Sequence, residues 1–196
     1  MALLVQTQNM LLGKLVVAAV LALTYFECGA VNVSTPDPQK SSPVTNLQAT
    51  PASTPESIPK DLSITLERGP CMGRCPQYKV TISADGTVEF EGKSDTKVTG
   101  KASGKITDSD LKQLVAEFEK MNYFDLKERY TDDACPQVAT DMSGATVSYQ
   151  LNGKQKTVFH YHGCMTKDFQ SYPPGLNLLE NKIDEIARTD KWVGRQ

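Results

Sequence analysis

The sequence lacks an excess of charge of either sign. Its 196 residues include 21 Lys and Arg against 23 Asp and Glu, which gives a formal net charge of −2. A nucleic-acid-binding domain usually carries a clustered basic excess, so this composition argues against nucleic acid as a partner. With 39% hydrophobic and 7% aromatic residues, the chain is too apolar to be disordered throughout and fits a small globular domain.

Long hydrophobic runs are also lacking. The apolar run at residues 15–26 has only twelve residues, whereas a membrane-spanning helix needs about 20. Its length, the preceding Lys14 and the small residues up to Ala30 predict a signal peptide over residues 1–30. An uncleaved anchor and a lipid on Cys28 remain alternatives, and either would give the only membrane contact. We therefore expect an exported protein, located in the periplasm, the cell envelope or the extracellular space.

Residues 31–60 differ in composition from the rest of the chain. They contain six prolines and nine Ser or Thr residues, which favours an extended, disordered segment because too little apolar surface is available for burial. We interpret this segment as a linker, followed by a single domain over residues 61–196.

Alternating apolar and polar residues predict strands in both halves of this domain. Asp85-Gly86 and Asn152-Gly153 join such segments, and these dipeptides are typical of hairpin turns. A weaker fourth strand is expected within residues 97–106. The alternating apolar positions are Leu62, Ile64, Leu66, Tyr78, Val80, Ile82, Val88, Phe90, Ala145, Val147, Tyr149 and Leu151.

Two helices are predicted by apolar residues at helical spacing. Thr107 and Asp110 have the spacing of a capping box and mark the start of the first helix. The second helix presents Leu176, Leu179, Ile183 and Ile186. We predict an α+β fold, in which an antiparallel sheet of two hairpin units carries two helices on one face and is stabilised by disulfides.

Four cysteines remain once the signal peptide is set aside: Cys71, Cys75, Cys135 and Cys164. An even number in an exported chain indicates disulfide bonds. Three pairings are possible, and the spacing favours Cys71 with Cys75 and Cys135 with Cys164. The Cys-x-x-x-Cys-Pro pattern is also compatible with a reactive thiol or with a soft metal such as Cu(I).

The two histidines of the chain lie close together as His160-Tyr161-His162. On a strand they point to the same face, so with Cys164 they form a candidate zinc or copper set, to which Cys71 and Cys75 are further candidates. A fourth ligand would require a loop carboxylate from Asp132, Asp133 or Asp141. Because a disulfide sulfur is not a thiolate ligand, the metal site competes with disulfide formation, and our first expectation is that the protein has no cofactor.

No catalytic motif is present. The sequence has no G-x-S-x-G elbow, no glycine-rich phosphate loop and no H-E-x-x-H pair. Glu180 and Asp184 lie one turn apart on the second helix, where we expect a solvated face and not an acid–base pair. We therefore assign no catalytic residue.

The segment Arg68-Gly-Pro-Cys71-Met-Gly-Arg-Cys75-Pro76-Gln-Tyr78 resembles an uncharacterised bacterial family, a domain of unknown function with the motif R-G-P-C-x-G-x-C-P-x-Y. The resemblance continues in the later segments His160-Tyr161-His162-Gly163-Cys164 and Leu179-Glu180-Asn-Lys-Ile183-Asp184 and in Trp192. It implies a bacterial, exported and often membrane-tethered domain, and it implies no catalytic residue.

From these observations we expect a non-enzymatic, exported or envelope-tethered binding module. Its partner would be an envelope protein or a cell-wall component, held by the sheet face or by the loop between Cys71 and Cys75. The alternative is a periplasmic thiol-redox or copper- or zinc-handling protein that uses the C-x-x-x-C-P motif and the H-x-H-x-C strand.

Overall fold

The computed structural model describes residues 57–194. The predicted signal peptide and most of the predicted linker lie outside the described residues. The strands are β1 (Ser63–Arg68), β2 (Gln77–Ser83), β3 (Thr87–Ser94), β4 (Gly100–Lys105), β5 (Arg129–Tyr130), β6 (Gln137–Val138), β7 (Gly144–Leu151), β8 (Lys154–Tyr161) and β9 (Cys164–Met165). The helices are α1 (Asp108–Lys120), α2 (Leu176–Ala187) and α3 (Asp190–Val193).

Seven strands form the main sheet, in the order β4-β3-β2-β1-β7-β8-β5. All neighbours are antiparallel except the short β5, which pairs with β8 in parallel. The β2–β3 and β7–β8 hairpins turn at the two predicted dipeptides, where Gly86 and Gly153 have the positive φ angles of +79° and +74° that these turns require. The predicted α+β class and the largely antiparallel sheet are confirmed.

One face of the sheet carries the core. Alternate side chains of the central strands are buried together with the apolar faces of α1 and α2 in one continuous cluster. The opposite face is polar, as shown by the hydroxyl pairs Thr65–Thr81 and Ser148–Thr157. Both predicted helices therefore pack on the same face, and α1 begins at the predicted capping box of Thr107 and Asp110.

The short parallel strand β5, the helix α3 and the β6–β9 pair were not predicted. The short helix α3 closes the far edge of the core by stacking Trp192 on Phe90, with ring centroids 5.0 Å apart. The small strands β6 and β9 form a separate antiparallel pair. Within residues 57–194, no helix combines the length and the apolar character needed to cross a membrane.

The expectation of disulfide bonds is supported. Cys71 pairs with Cys75 in the loop between β1 and β2, and Cys135 pairs with Cys164 at the start of β9. The Cα–Cα distances are 5.8 and 5.2 Å, within the usual range for disulfides. The second bond links segments 29 residues apart, and Cys164 is part of the core.

The two disulfides should differ in their effect on stability. The chain-entropy relation gives about 3.6 kcal/mol for closing the longer loop and about 2 kcal/mol for the shorter one. We expect the double substitution Cys135→Ser with Cys164→Ser to lower the free energy of unfolding more than Cys71→Ser with Cys75→Ser. Urea unfolding of the oxidised variants measures both, and an equal or reversed order would contradict this assignment.

Candidate functional site

Helix α2 brings two carboxylates against the sheet. Glu180 and Asp184 lie one turn apart and face Arg68, the last residue of β1. Glu180 also contacts His160 near the end of β8 and His162 just beyond it. Because residues two apart on a strand share a face, the two imidazoles reach the same carboxylate, and their ring centroids are 5.1 Å apart.

The expectation that this helix face is solvated was wrong. The side chain of Glu180 has 0% of its surface exposed, and that of Asp184 has 19%. The physical reason is that Arg68 and the two histidines supply hydrogen-bond donors in the interior, so the carboxylates are paired rather than hydrated.

Glu180 accepts three hydrogen bonds. The donors are His160 Nδ1 at 2.6 Å, His162 Nε2 at 2.8 Å and Arg68 Nη1 at 3.0 Å. Desolvation by itself would raise the pKa of Glu180. The hydrogen bonds from both histidines and the attraction of His160 and Arg68 outweigh it and lower this pKa to about 2. Glu180 is therefore an anion across the physiological pH range.

Asp184 is held by a second set of donors. Arg68 donates from Nε at 3.1 Å and from Nη2 at 2.8 Å, and Tyr78 donates its hydroxyl at 2.7 Å. Thr189 Oγ1 donates at 2.9 Å. Burial lowers the pKa of Arg68, but the two carboxylates raise this pKa by a larger amount. The net shift is upward, and Arg68 stays charged. Burial and the charge of Asp184 raise the pKa of Tyr78, which remains a neutral donor.

Glu180 fixes one proton on each histidine. An ionised carboxylate only accepts hydrogen bonds, so His162 donates its Nε2–H to Glu180. Ser143 Oγ lies 2.8 Å from the other ring nitrogen, Nδ1, and its hydroxyl donates to that nitrogen in the neutral ring. His160 likewise donates Nδ1–H, and its buried Nε2 has no partner among the described residues.

A cavity of about 460 Å³ opens above this network. Arg68, His162 and the two carboxylates form part of its wall. Such a volume is within the usual range for small-molecule sites. The lining residues are Arg68, Gly69, Cys75, Pro76, Tyr78, Ser143, His162, Ser171, Asn177, Glu180, Asn181 and Asp184.

The predicted metal ligands are only partly brought together. His160 and His162 converge, but Cys164 is bonded to Cys135, and Cys71 and Cys75 are bonded to each other. The cysteines therefore offer no thiolate in this oxidised state. Glu180 takes the third position instead, since one ligand atom from each of His160, His162 and Glu180 lies within 4.8 Å of the others.

Several site residues were missed as a group by local sequence patterns. Glu180 and Asp184 were assigned to solvent, Arg68 was noted as part of a motif, and Tyr78 was noted in the motif and as an apolar strand position. The three segments that carry the family resemblance nevertheless supply most of the network, namely Arg68, Tyr78, His160, Glu180 and Asp184. The shared membership of these residues in the family motifs was the sequence signal that could have identified the network. No sequence pattern pointed to Ser143.

Because of Glu180, the free energy of unfolding should decrease at low pH. Its pKa is below the ordinary 4.5, so the ionised carboxylate adds roughly 3 kcal/mol to the free energy of unfolding. This contribution is present above pH 4.5 and is lost as the pH falls towards 2. We expect Glu180→Gln to lower the free energy of unfolding by about 3 kcal/mol at pH 7. The difference from the native chain should shrink towards pH 2.

Glu185→Gln is the matched control, because Glu185 lies on the same helix but is exposed and pairs only with Lys182. Chemical unfolding at several pH values measures both variants. Equal effects of the two substitutions at pH 7 would show that the buried network does not stabilise the fold.

Comparison with known proteins gives one family. The sequence model of DUF6438, a domain of unknown function, matches residues 62–187. No curated protein matches the chain. The matched region spans all the residues of the cavity wall and runs from the strand region of β1 to the end of α2. The chain therefore belongs to the DUF6438 family.

Proposed function

We propose that this protein is an exported binding module that holds a carbohydrate component of the bacterial cell wall in the cavity beside Arg68 and His162. The observation that carries this proposal is the set of groups left free in the cavity. Every charged lining residue is paired within the network, whereas amides and hydroxyls remain available for a ligand.

The charged groups disfavour an ionic ligand. Arg68 is the one cation of the cavity wall, and it is opposed by Glu180 and Asp184. All three of its nitrogen atoms already donate to the carboxylates or to Asn181. An incoming anion would be repelled by the two carboxylates, and an incoming cation would have to displace the bonds that they already accept.

The free groups suit a neutral ligand that is rich in hydroxyls. Asn181 accepts from Arg68 with its Oδ1 at 3.1 Å, which leaves its Nδ2 hydrogens to donate. Asn177 lines the same cavity, and Ser171 contributes a buried Oγ with no partner in the described part of the chain. A ligand hydroxyl that reaches Ser171 would satisfy a buried polar atom that is otherwise costly.

Exposed apolar side chains lie close in sequence to the cavity wall. Met72, Met142, Phe169 and Leu178 are large and exposed, and each is one to three residues from a lining residue. We take these side chains to border the cleft, where they would provide contact surface for the carbon faces of sugar rings or for a neighbouring polymer segment. This arrangement supports binding at the cavity rather than on the polar open face of the sheet.

Export is part of the proposal. It is supported by the apolar N-terminal run, by the proline-rich segment before the domain and by two disulfide bonds, which persist in oxidising compartments. The proline-rich segment would act as a spacer between the envelope and the domain.

Binding should be blocked by filling the cavity. The probes are a β-1,4-linked tetramer of N-acetylglucosamine, followed by calorimetry, and purified cell-wall sacculi, followed by co-sedimentation. We expect the full chain to bind both and Asn181→Trp to weaken binding at least about tenfold, a loss of about 1.4 kcal/mol.

Thr81→Trp is the control, because Thr81 lies on the open face of the sheet. Lack of binding to both probes would contradict the carbohydrate proposal. Equal loss in both variants would instead place the binding surface outside the cavity, and binding of an envelope protein without either probe would indicate the other partner class.

A second candidate function is binding of a divalent transition metal. The observation that favours it is the convergence of His160, His162 and Glu180, with ligand atoms within 4.8 Å of one another. Two imidazoles and a carboxylate are ligands that Zn²⁺ and Fe²⁺ accept. Ser143 would then orient His162 through its Nδ1. Against this function, the guanidinium of Arg68 lies 3.5 Å from His162 Nε2 and adds positive charge where the metal would be.

The metal function makes a separate prediction. Zn²⁺ should bind with a stoichiometry of one per chain and raise the melting temperature, and Glu180→Gln should abolish both effects. Glu185→Gln should leave them unchanged. Calorimetry with Zn²⁺ alone measures the affinity, and the absence of heat and of stabilisation would eliminate this candidate.

A further inference from the structure

We propose that Ser143 is a nucleophile that accepts an acyl group from an ester carried by the molecule in the cavity. The inference rests on the proposed use of the cavity as a ligand site and names the class of ligand more closely, as an O-acylated carbohydrate. It adds an activity, acyl transfer to Ser143 followed by hydrolysis, to the proposed binding.

The backbone fixes Ser143 beside His162. Ser143 precedes β7 and His162 follows β8, and these strands form the second hairpin. The His162 N–H donates to the Ser143 carbonyl at 2.9 Å. The hydroxyl and the imidazole are thus side chains of directly opposed residues, which explains the 2.8 Å contact between Ser143 Oγ and His162 Nδ1.

His162 is placed as a general base must be. Its Nε2 donates to Glu180 at 2.8 Å, and in the neutral ring the lone pair of Nδ1 faces the serine hydroxyl 2.8 Å away. Glu180 stays ionised because His160 and Arg68 also donate to it. A nucleophile hydrogen-bonded to a base that is itself oriented by a third group is the common arrangement of nucleophilic catalysis.

The ring nitrogens are used in the opposite sense from the usual serine triad, in which Nε2 faces the serine. Either nitrogen accepts a proton when the other one carries the hydrogen, so the exchange does not change the chemistry. Among the hydroxyl groups of residues 57–194, the one of Ser143 lies within hydrogen-bond distance of an imidazole nitrogen. Ser148, on the strand β7 that follows Ser143, pairs with Thr157 instead.

The Ser143–His162 pair is accessible from the cavity. Ser143 and His162 both line it, and His162 keeps 20% of its side-chain surface exposed. Glu180 and His160 are buried beneath them. A substrate therefore reaches the hydroxyl, while the carboxylate that orients the base is protected from water.

The proposed reaction has two steps, acylation of Ser143 and hydrolysis of the acyl-serine. Ser143 Oγ forms a bond to the ester carbonyl carbon as its proton moves to His162 Nδ1, and the carbonyl electron pair moves to oxygen. Collapse of this intermediate breaks the bond to the alcohol, which takes the proton from His162. Water then attacks the acyl-serine in the same way and releases the carboxylic acid. The Asn177 and Asn181 amides, which line the same cavity, are the side-chain N–H groups available to the carbonyl oxygen.

A fluorophosphonate probe tests the nucleophile directly. The probe forms an oxygen–phosphorus bond to an activated serine and releases fluoride. We expect intact mass to show one adduct on the full chain and peptide mapping to place it on Ser143. Ser143→Ala should abolish the adduct, whereas Ser148→Ala should retain it. His162→Gln should slow labelling by at least about a hundredfold.

Turnover is tested with p-nitrophenyl acetate. The native chain should release p-nitrophenol faster than Ser143→Ala, and circular dichroism should show that Ser143→Ala and His162→Gln remain folded. Absence of an adduct on Ser143, or equal labelling in His162→Gln, would overturn the inference. If the N-acetylglucosamine tetramer still binds in that case, the binding function stands and only the acyl transfer fails.

Discussion

The buried carboxylate of Glu180 is the constraint on which the position of α2 depends. An ion without water needs partners of opposite charge or strong donors. Here they come from three separate segments: Arg68 at the end of β1, His160 within β8 and His162 just after it. Helix α2 satisfies all of them only in one orientation and at one height along the sheet.

Asp184 adds a second fixed point one turn away, through Arg68 and Tyr78. With the helix in this position, its apolar side faces the core, where Leu179 and Ile183 are buried.

Pairing within the network also determines the chemistry of the cavity. Because Arg68 is bonded to both Glu180 and Asp184, the groups left for a ligand are amides and hydroxyls. The same network places a hydrogen on His162 Nε2 and sets Ser143 Oγ beside His162 Nδ1. A carboxylate that served only to stabilise the fold would need none of this exposure at His162. The disulfide between Cys71 and Cys75 borders the cavity through Cys75, so it holds the β1–β2 loop at the edge of the site.

Much of the fold could be predicted from local patterns, whereas the centre of the site could not. Alternation, the two turn dipeptides and the capping box at Thr107 each act over a few residues, and the strands and helices they predict are present. The partners of Glu180 are 18, 20 and 112 residues away. Helical spacing places Glu180 and Asp184 on one face, but it does not show whether that face meets water or a buried arginine. For the same reason His160 and His162 were associated with Cys164, which is near in sequence, and not with Glu180, which is near in space.

The most direct test of this account is the proton distribution on His162, measured by ¹⁵N NMR of the imidazole nitrogens in the folded full chain. The account predicts a hydrogen on Nε2, bonded to the Glu180 carboxylate, and a bare Nδ1 that accepts from Ser143. In the Glu180→Gln variant this preference should weaken. A hydrogen on Nδ1 in the native chain, whether or not Nε2 is also protonated, would contradict the account, because Nδ1 could then not accept the proton of Ser143.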